Sequence, residues 1–158
     1  CMQDTHPPVT APELRYAILA AQREGNRQLA LALTPMEVTP SQAEVIIVLG
    51  EHGPTTLKGL GGLLVCETGS PSRLVDALVK RGLVDRIDNP MDRRQVLLQL
   101  TKEGRKLRPK IQAAEAMIDE NLRAAFGDDL LRDLVERTRA FLAGSNAGAA
   151  LARRFGRE

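Results

Sequence analysis

Residues 55–101 read TTLKGLGGLLVCETGSPSRLVDALVKRGLVDRIDNPMDRRQVLLQLT. Leu74, Val75, Leu78 and Val79 fall at i, i+1, i+4 and i+5, so a helix through them gathers all four on one face. Ser72, Arg73, Asp76 and Lys80 are thereby turned to the other. After Gly82 the period changes to two. Val96, Leu98 and Leu100 alternate with Gln95, Leu97 and Gln99, as in a half-buried strand. Between the two strand candidates lies DNPMDRR, whose Asn-Pro marks a turn and whose Arg93 and Arg94 stand near the tip. A short helix, a turn, an amphipathic helix and a basic β-hairpin, in that order, predict a winged helix-turn-helix. Such a module offers one helix and one arginine-bearing loop to duplex DNA.

Working outward, residues 1–11 carry tandem prolines and little apolar content and read as a loose arm. A long helix is expected from Pro12 to Leu33, with Leu14, Ala17, Ile18, Ala21, Leu29 and Leu33 as an apolar stripe and Gly25 as a weak point. Thr39-Pro40 is a cap followed by Pro at the first helical position. The helix it starts carries Ala43, Ile46, Ile47 and Leu49 toward His52-Gly53-Pro54, which stop it. A third helix is expected over Thr56 to Leu64. Gly59, Gly61 and Gly62 each cost it roughly 0.5–1 kcal/mol relative to Ala, which reads as close backbone packing. Ser70-Pro71 repeats the start signal for a helix to about Arg81, and Gly82 fits a left-handed stop.

Beyond the hairpin, Thr101 caps a long helix with Leu107, Ile111, Ala114, Ile118 and Leu122 on one face, and Pro109 is expected to bend it. Gly127 breaks the run. Asp128 then starts a final helix with Leu130, Leu131, Leu134, Phe141 and Leu142, and the tail GSNAGAALARRFGRE is either a continued helix or a frayed end. The fold class is therefore mainly α with a small β-hairpin wing. Its expected segments are an arm (1–11), an N-terminal dimerisation helix (12–38), a DNA-binding lobe (39–101) and C-terminal dimerisation helices (102–158). The striped helices outside the lobe must bury their apolar faces, either in an intrachain bundle or against a second chain. The homodimer is favoured, because it also sets two recognition helices about one turn of DNA apart.

Composition is compatible with this reading. Apolar residues make up 43% of the 158 but aromatic ones only 3%, so the core must be aliphatic. Residues 70–110 hold 11 Lys and Arg against 5 Asp and Glu, while the remainder holds 11 against 15. The local excess of +6 is the electrostatic footprint of phosphate contact. With no apolar run of about 18 residues and no signal-peptide core, a cytoplasmic location and no membrane partner are expected. Two histidines, no paired metal-ligand spacing, no glycine-rich loop after a strand and no nucleophile motif argue against an enzyme, a metal or a cofactor. Cys66, in the turn of the helix-turn-helix, reads first as a packing thiol and second as a redox candidate whose oxidation would displace the DNA-reading helix.

SRLVDALVKRGLV (72–84) and DRRQVLLQLTKEGRKL (92–107), with VTPSQAEVIIVLGEHGP (38–54), resemble the MarR family of bacterial transcriptional regulators, and the resemblance runs over nearly the whole chain. It implies a homodimer on a pseudo-palindromic operator, often a repressor, commonly released by a small aromatic or phenolic effector. Carried over by position, it implies a DNA-reading helix face of Ser70, Ser72, Arg73 and Asp76 and wing arginines Arg93 and Arg94. Asp92 is then expected to brace the wing by pairing with an arginine. The family often has Asp-x-Arg before the Asp-Arg-Arg, where this chain has Asn89-Pro90-Met91, so the minor-groove contact rests on Arg93 or Arg94. An effector pocket is expected among the first, second and fifth helices, with Arg15, Arg27 or His52 meeting an anionic ligand. The alternatives are a redox-responsive regulator acting through Cys66 and a winged-helix protein-interaction module without specific DNA binding.

Overall fold

The helix that begins after Thr39 is the centre of the fold. Thr39 accepts the Gln42 amide at 3.2 Å while the Gln42 side chain accepts the Thr39 amide at 3.0 Å, a reciprocal cap that starts α2 (Pro40–His52). Ala43 and Val45 to Leu49 are all buried, so α2 is covered on every side rather than along the single stripe that spacing predicts. The computed structural model describes residues 8–66 and 70–156; residues 1–7 of the expected arm and 67–69 of the expected turn lie outside them.

Around α2 stand α1 (Ala11–Leu33), α3 (Leu57–Gly61), α4 (Pro71–Lys80), the hairpin β1 (Val84–Asp88) and β2 (Val96–Leu100), and then α5 (Lys102–Phe141) and α6 (Asn146–Phe155). The helix α1 runs through Gly25 unbroken, and only its last residue, Leu33, is buried. Leu14, Ile18, Leu19 and Leu31 remain exposed. A 3-10 turn (Thr34–Met36) leads to α2. Arg81, just past α4, clasps that turn by donating to the Met36 carbonyl at 3.3 Å and to the Glu37 carbonyl.

The third helix stops three residues before the expected Leu64. At Gly62 the chain leaves the helix, its amide turning back to the Lys58 carbonyl at 3.1 Å, and Leu64 drops into the core instead. Two adjacent glycines lower helix propensity enough for that burial to decide the boundary. The hairpin pairs antiparallel with Val84 opposite Leu100 and Arg86 opposite Leu98. Thr55 adds a one-residue third strand, its amide and carbonyl bonding Leu98 at 3.1 and 2.8 Å.

The long α5 breaks at Gly127, whose φ of 71° and ψ of 160° are not helical, whereas Pro109 keeps helical dihedrals. The expected break at Gly127 is present, and Pro109 does not interrupt the helix. Ile111 and Ala114, just beyond the proline, are buried in the lobe's core and hold that limb in place. The core thus runs from Leu33 of α1 through α2, α3, α4 and the hairpin to α5 without a gap at the expected segment boundaries. After a turn at Gly144, residues 146–155 of the tail form a separate helix and do not continue α5: Ser145 caps α6 by accepting the Gly148 amide at 3.0 Å. Among the described residues no helix is long and apolar enough to cross a membrane.

The wing is locked to α5 at one close approach. Thr101 donates from its hydroxyl to the Gly82 carbonyl (2.7 Å) and from its amide to the Leu83 carbonyl (3.1 Å), and its hydroxyl accepts the Gly104 amide (3.0 Å). A β-carbon on Gly104 would lie 2.2 Å from the Leu83 carbonyl oxygen. Gly104→Ala is therefore expected to destabilise the protein by about 1–3 kcal/mol, despite the better helix propensity of Ala. Urea denaturation checks it; a stabilised variant would mean that the backbones are not in contact there.

Candidate nucleic-acid interface

The recognition helix is positioned from beneath. Val75 and Leu78 of α4 are buried against the core, which turns Arg73, Asp76 and Lys80 outward to solvent. Ser70 begins the helix in extended conformation but caps none of its amides; its hydroxyl instead meets that of Ser72 at 2.6 Å. This leaves two hydroxyls and the Arg73 guanidinium together on the first turn. The side chain of Arg73 makes no hydrogen bond or ion pair among the described residues, and neither does Lys80.

Asp76 has a different environment from the one expected of a base-reading residue. Its carboxylate pairs with Arg86 of β1, tying the outer face of α4 to the wing. Arg86 was missed in the sequence, where strand period alone places it without naming a partner. Both side chains are about half exposed, so the pair orients α4 against the hairpin more than it stabilises the fold.

The wing tip is braced by its own backbone. The Asn89 side chain accepts the Met91 amide at 3.0 Å, and the Asp92 side chain accepts the Arg94 amide at 3.0 Å. The Asp92 and Gln95 amides donate to the carbonyls of Asn89 and Asp92 at 3.3 and 2.9 Å. Asp92 thus braces the wing through a main-chain amide and not through the arginine expected for it, because the tight turn brings the amide of Arg94 within its short reach. Arg93 and Arg94 are exposed, with side chains bonded to nothing among the described residues, and Met91 is 91% exposed beside them.

Two further arginines of the basic block bond within the fold. Arg81 holds the α1–α2 turn, as described above, and Arg105 donates to the Leu100 carbonyl at 2.6 Å. Side chains of the basic block that face solvent with no partner among the described residues include Arg73 and Lys80 on α4, Arg93 and Arg94 on the wing, and Lys102 and Lys110 on α5.

The three expected effector contacts are not drawn into a common pocket. Arg15 stacks on the exposed Tyr16 ring at 4.4 Å. Arg27 is held by Glu24 at 2.7 Å on the outer face of α1, and this pairing lowers the Glu24 carboxyl to about 2. His52 is exposed at the end of α2. An open, largely apolar cleft of about 810 Å³ lies elsewhere, between the second limb of α5 and α6, where Leu134, Val135, Leu151 and Phe155 line it together with Asp128 and Arg132.

Cys66 is half-buried against Glu44, a carboxylate of α2 that accepts the amides of Val65 and Cys66 at 2.8 and 2.9 Å. Burial, and then the neighbouring carboxylate, push the thiol up to about 12. At neutral pH it carries roughly a thousandfold less thiolate than free cysteine, so it is expected to alkylate at least a hundredfold more slowly than free cysteine until the protein unfolds. Its rate should rise with pH well beyond the range where an ordinary thiol has titrated. A rate at pH 7 equal to that of free cysteine would restore the redox reading. Glu44 itself is a residue that spacing passes over, since it stands within an apolar run; that isolation was its one signal.

Comparison with known proteins agrees with this geometry. The MarR family model matches residues 38–96, from the start of α2 into β2. The chain is 33% identical over 103 residues to the HTH-type transcriptional regulator YhbI of Bacillus subtilis, covering 65% of this chain and 67% of that one. It is 30% identical over 115 residues to the multiple antibiotic resistance protein MarR of Escherichia coli, covering 73% and 72%. A cysteine-to-serine mutant of that protein, crystallised with operator DNA, matches with a TM-score of 0.75 at 26% identity over 84% of this chain and 94% of the other. BpsR of Bordetella bronchiseptica has the same fold at a TM-score of 0.76 and 18% identity, over 89% and 100%. With sequence identity spread over two thirds of these regulators, and the fold shared with an operator-bound MarR structure, the chain belongs to the MarR family of transcriptional regulators and not to an enzyme family.

Proposed function

We propose that the protein is a cytoplasmic homodimeric repressor that reads a pseudo-palindromic operator. In this reading α4 enters the major groove and the wing enters the flanking minor groove. The observation that carries it is the pairing of two solvent-facing cationic elements, Arg73 on the first turn of α4 and Arg93-Arg94 at the wing tip, on a lobe whose other arginines are engaged internally. Ser70 and Ser72 contact phosphate, Arg73 reaches a guanine edge, and Asp76 orients α4 through Arg86. Dimerisation is supported by exposed apolar side chains on both flanking helices: Leu14, Ile18 and Leu19 of α1, and Leu130, Leu134 and Val135 of α5. An apolar surface of that kind calls for a covering partner, and a second copy offers the same faces.

Release by a small aromatic hydroxy acid is the regulatory part of the reading. It is supported by BpsR, whose DNA binding is regulated by 6-hydroxynicotinic acid. The cleft between α5 and α6 supports it with apolar walls, Leu134, Leu151 and Phe155 among them, and arginines in its lining.

The test is binding to the duplex upstream of its own gene against a scrambled duplex across a salt series. A preference of about a thousandfold or more with two chains per site is expected. Replacing Arg93 and Arg94 together by Ala is expected to weaken both duplexes and to flatten the salt dependence by about 1 for each phosphate that is no longer neutralised. Equal binding to both duplexes at every salt concentration would overturn the operator reading.

A further inference from the structure

The helix α6 folds back onto the DNA-reading lobe through two consecutive arginines. Arg153 donates to the Gly62 carbonyl at 3.0 Å, where α3 ends. Arg154 donates to the Glu44 carboxylate at 2.6 Å and approaches that of Glu51 at 4.0 Å. Glu44 and Arg154 are largely buried, their side chains 11% and 14% exposed. The carboxylate of Glu44 is thus shared three ways, between Arg154 and the amides of Val65 and Cys66. Those amides lie four and five residues ahead of Ser70, the residue that begins α4.

A carboxylate inside a run of buried aliphatic side chains needs both hydrogen bonds and a counter-charge. The two amides supply the first and Arg154, from 110 residues away, supplies the second. Without that guanidinium, the field of Glu51 and Glu115 on α2 and α5 would act on Glu44 unopposed, since each is a carboxylate grouped around the same arginine. A buried carboxylate without its counter-charge is drawn toward water and away from the two amides.

We infer that α6 is a clamp on DNA reading: Arg154 is a positioning residue that, through Glu44, holds the backbone at Val65-Cys66 and hence the start of the recognition helix. The inference rests on the operator-binding role proposed above and adds a second region, remote from the DNA-facing side chains, that sets affinity. A regulator built this way loses grip on its operator when its C-terminal helix is displaced.

The experiment pairs operator binding with amide hydrogen exchange on the full chain and its variants, using the duplex upstream of its own gene. Arg154→Ala is expected to lower operator affinity tenfold or more, to leave the salt slope unchanged, and to speed exchange at Val65 and Cys66 by a similar factor. Arg154→Lys, which keeps the charge, is expected to recover part of both. Glu44→Gln removes a negative charge, so bulk electrostatics alone would strengthen DNA binding; the clamp predicts weaker binding, with no further loss when Arg154→Ala is added. A changed salt slope, or a stronger-binding Glu44→Gln variant, would show that Arg154 acts as a plain cation and overturn the inference. Lost affinity with unchanged exchange, or faster exchange at unchanged affinity, overturns it as well. If the wild-type chain shows no operator preference, the function proposed above fails, and the exchange arm alone decides whether Arg154 holds the turn.

Discussion

Replacing Arg73 by Ala is expected to lower operator affinity by about 2–6 kcal/mol, roughly thirtyfold to twenty-thousandfold, and to relax base preference at one position in each half-site. The figure follows from two copies in the proposed dimer, each deprived of a bidentate arginine–base pair worth about 1–3 kcal/mol. The geometry isolates the effect well. The Arg73 side chain faces solvent on the first turn of α4 and makes no bond within the lobe, so its loss leaves no orphaned partner. Helix propensity changes in favour of Ala, and Val75 and Leu78 keep α4 seated. The measurement is titration of the operator and of single-base variants by wild type and Arg73→Ala. Unaltered affinity, or a uniform loss across all sequences, would remove Arg73 from base reading and leave it at most a phosphate contact.

The largest expected loss of stability comes from Ile111→Ala, about 2–5 kcal/mol, or roughly 4–20 °C in Tm for a chain of this length. Ile111 is completely buried, and it belongs to α5 rather than to the lobe it packs into. The truncation leaves a cavity where α5 meets the lobe. The loss should appear in the midpoint of urea unfolding with little change in slope, because the core is continuous and opens as one unit. A cost below about 1 kcal/mol would mean that the first limb of α5 rests on the lobe loosely. In the same experiment, operator affinity measured well below the unfolding range should fall much less than with Arg73→Ala, which separates stability from recognition.

The two substitutions bear on different kinds of information. Arg73 is legible in the sequence because helical period alone turns it away from Leu74, Val75 and Leu78. Ile111 is legible as an apolar residue on a stripe, but not as the tie between two regions; that requires knowing which lobe α5 lies across. The same holds for Asp76. Its helical position marks it as outward-facing, yet its pairing with Arg86 depends on β1 passing beside α4. Asp92 shows the converse. Its role as a brace is what the family resemblance implies, but the donor it meets is a backbone amide two residues on, and local geometry chose that over a guanidinium.

By itself the sequence determined the order of elements from α1 to α5, the faces of α4, the break at Gly127 and the outward basic surface. These follow from short-range physics: periods of 3.6 and 2, caps at Thr39 and Thr101, and a backbone angle that favours glycine. Only the tertiary structure decided where α3 stops, that Thr55 completes the sheet, that Arg15, Arg27 and His52 are not gathered into one pocket, and that Arg154 reaches Glu44. Each of those depends on contacts between residues distant in the chain, where the burial of Leu64 outweighs local propensity and a buried carboxylate is matched by a cation from another element. Neither choice leaves a periodic trace in sequence.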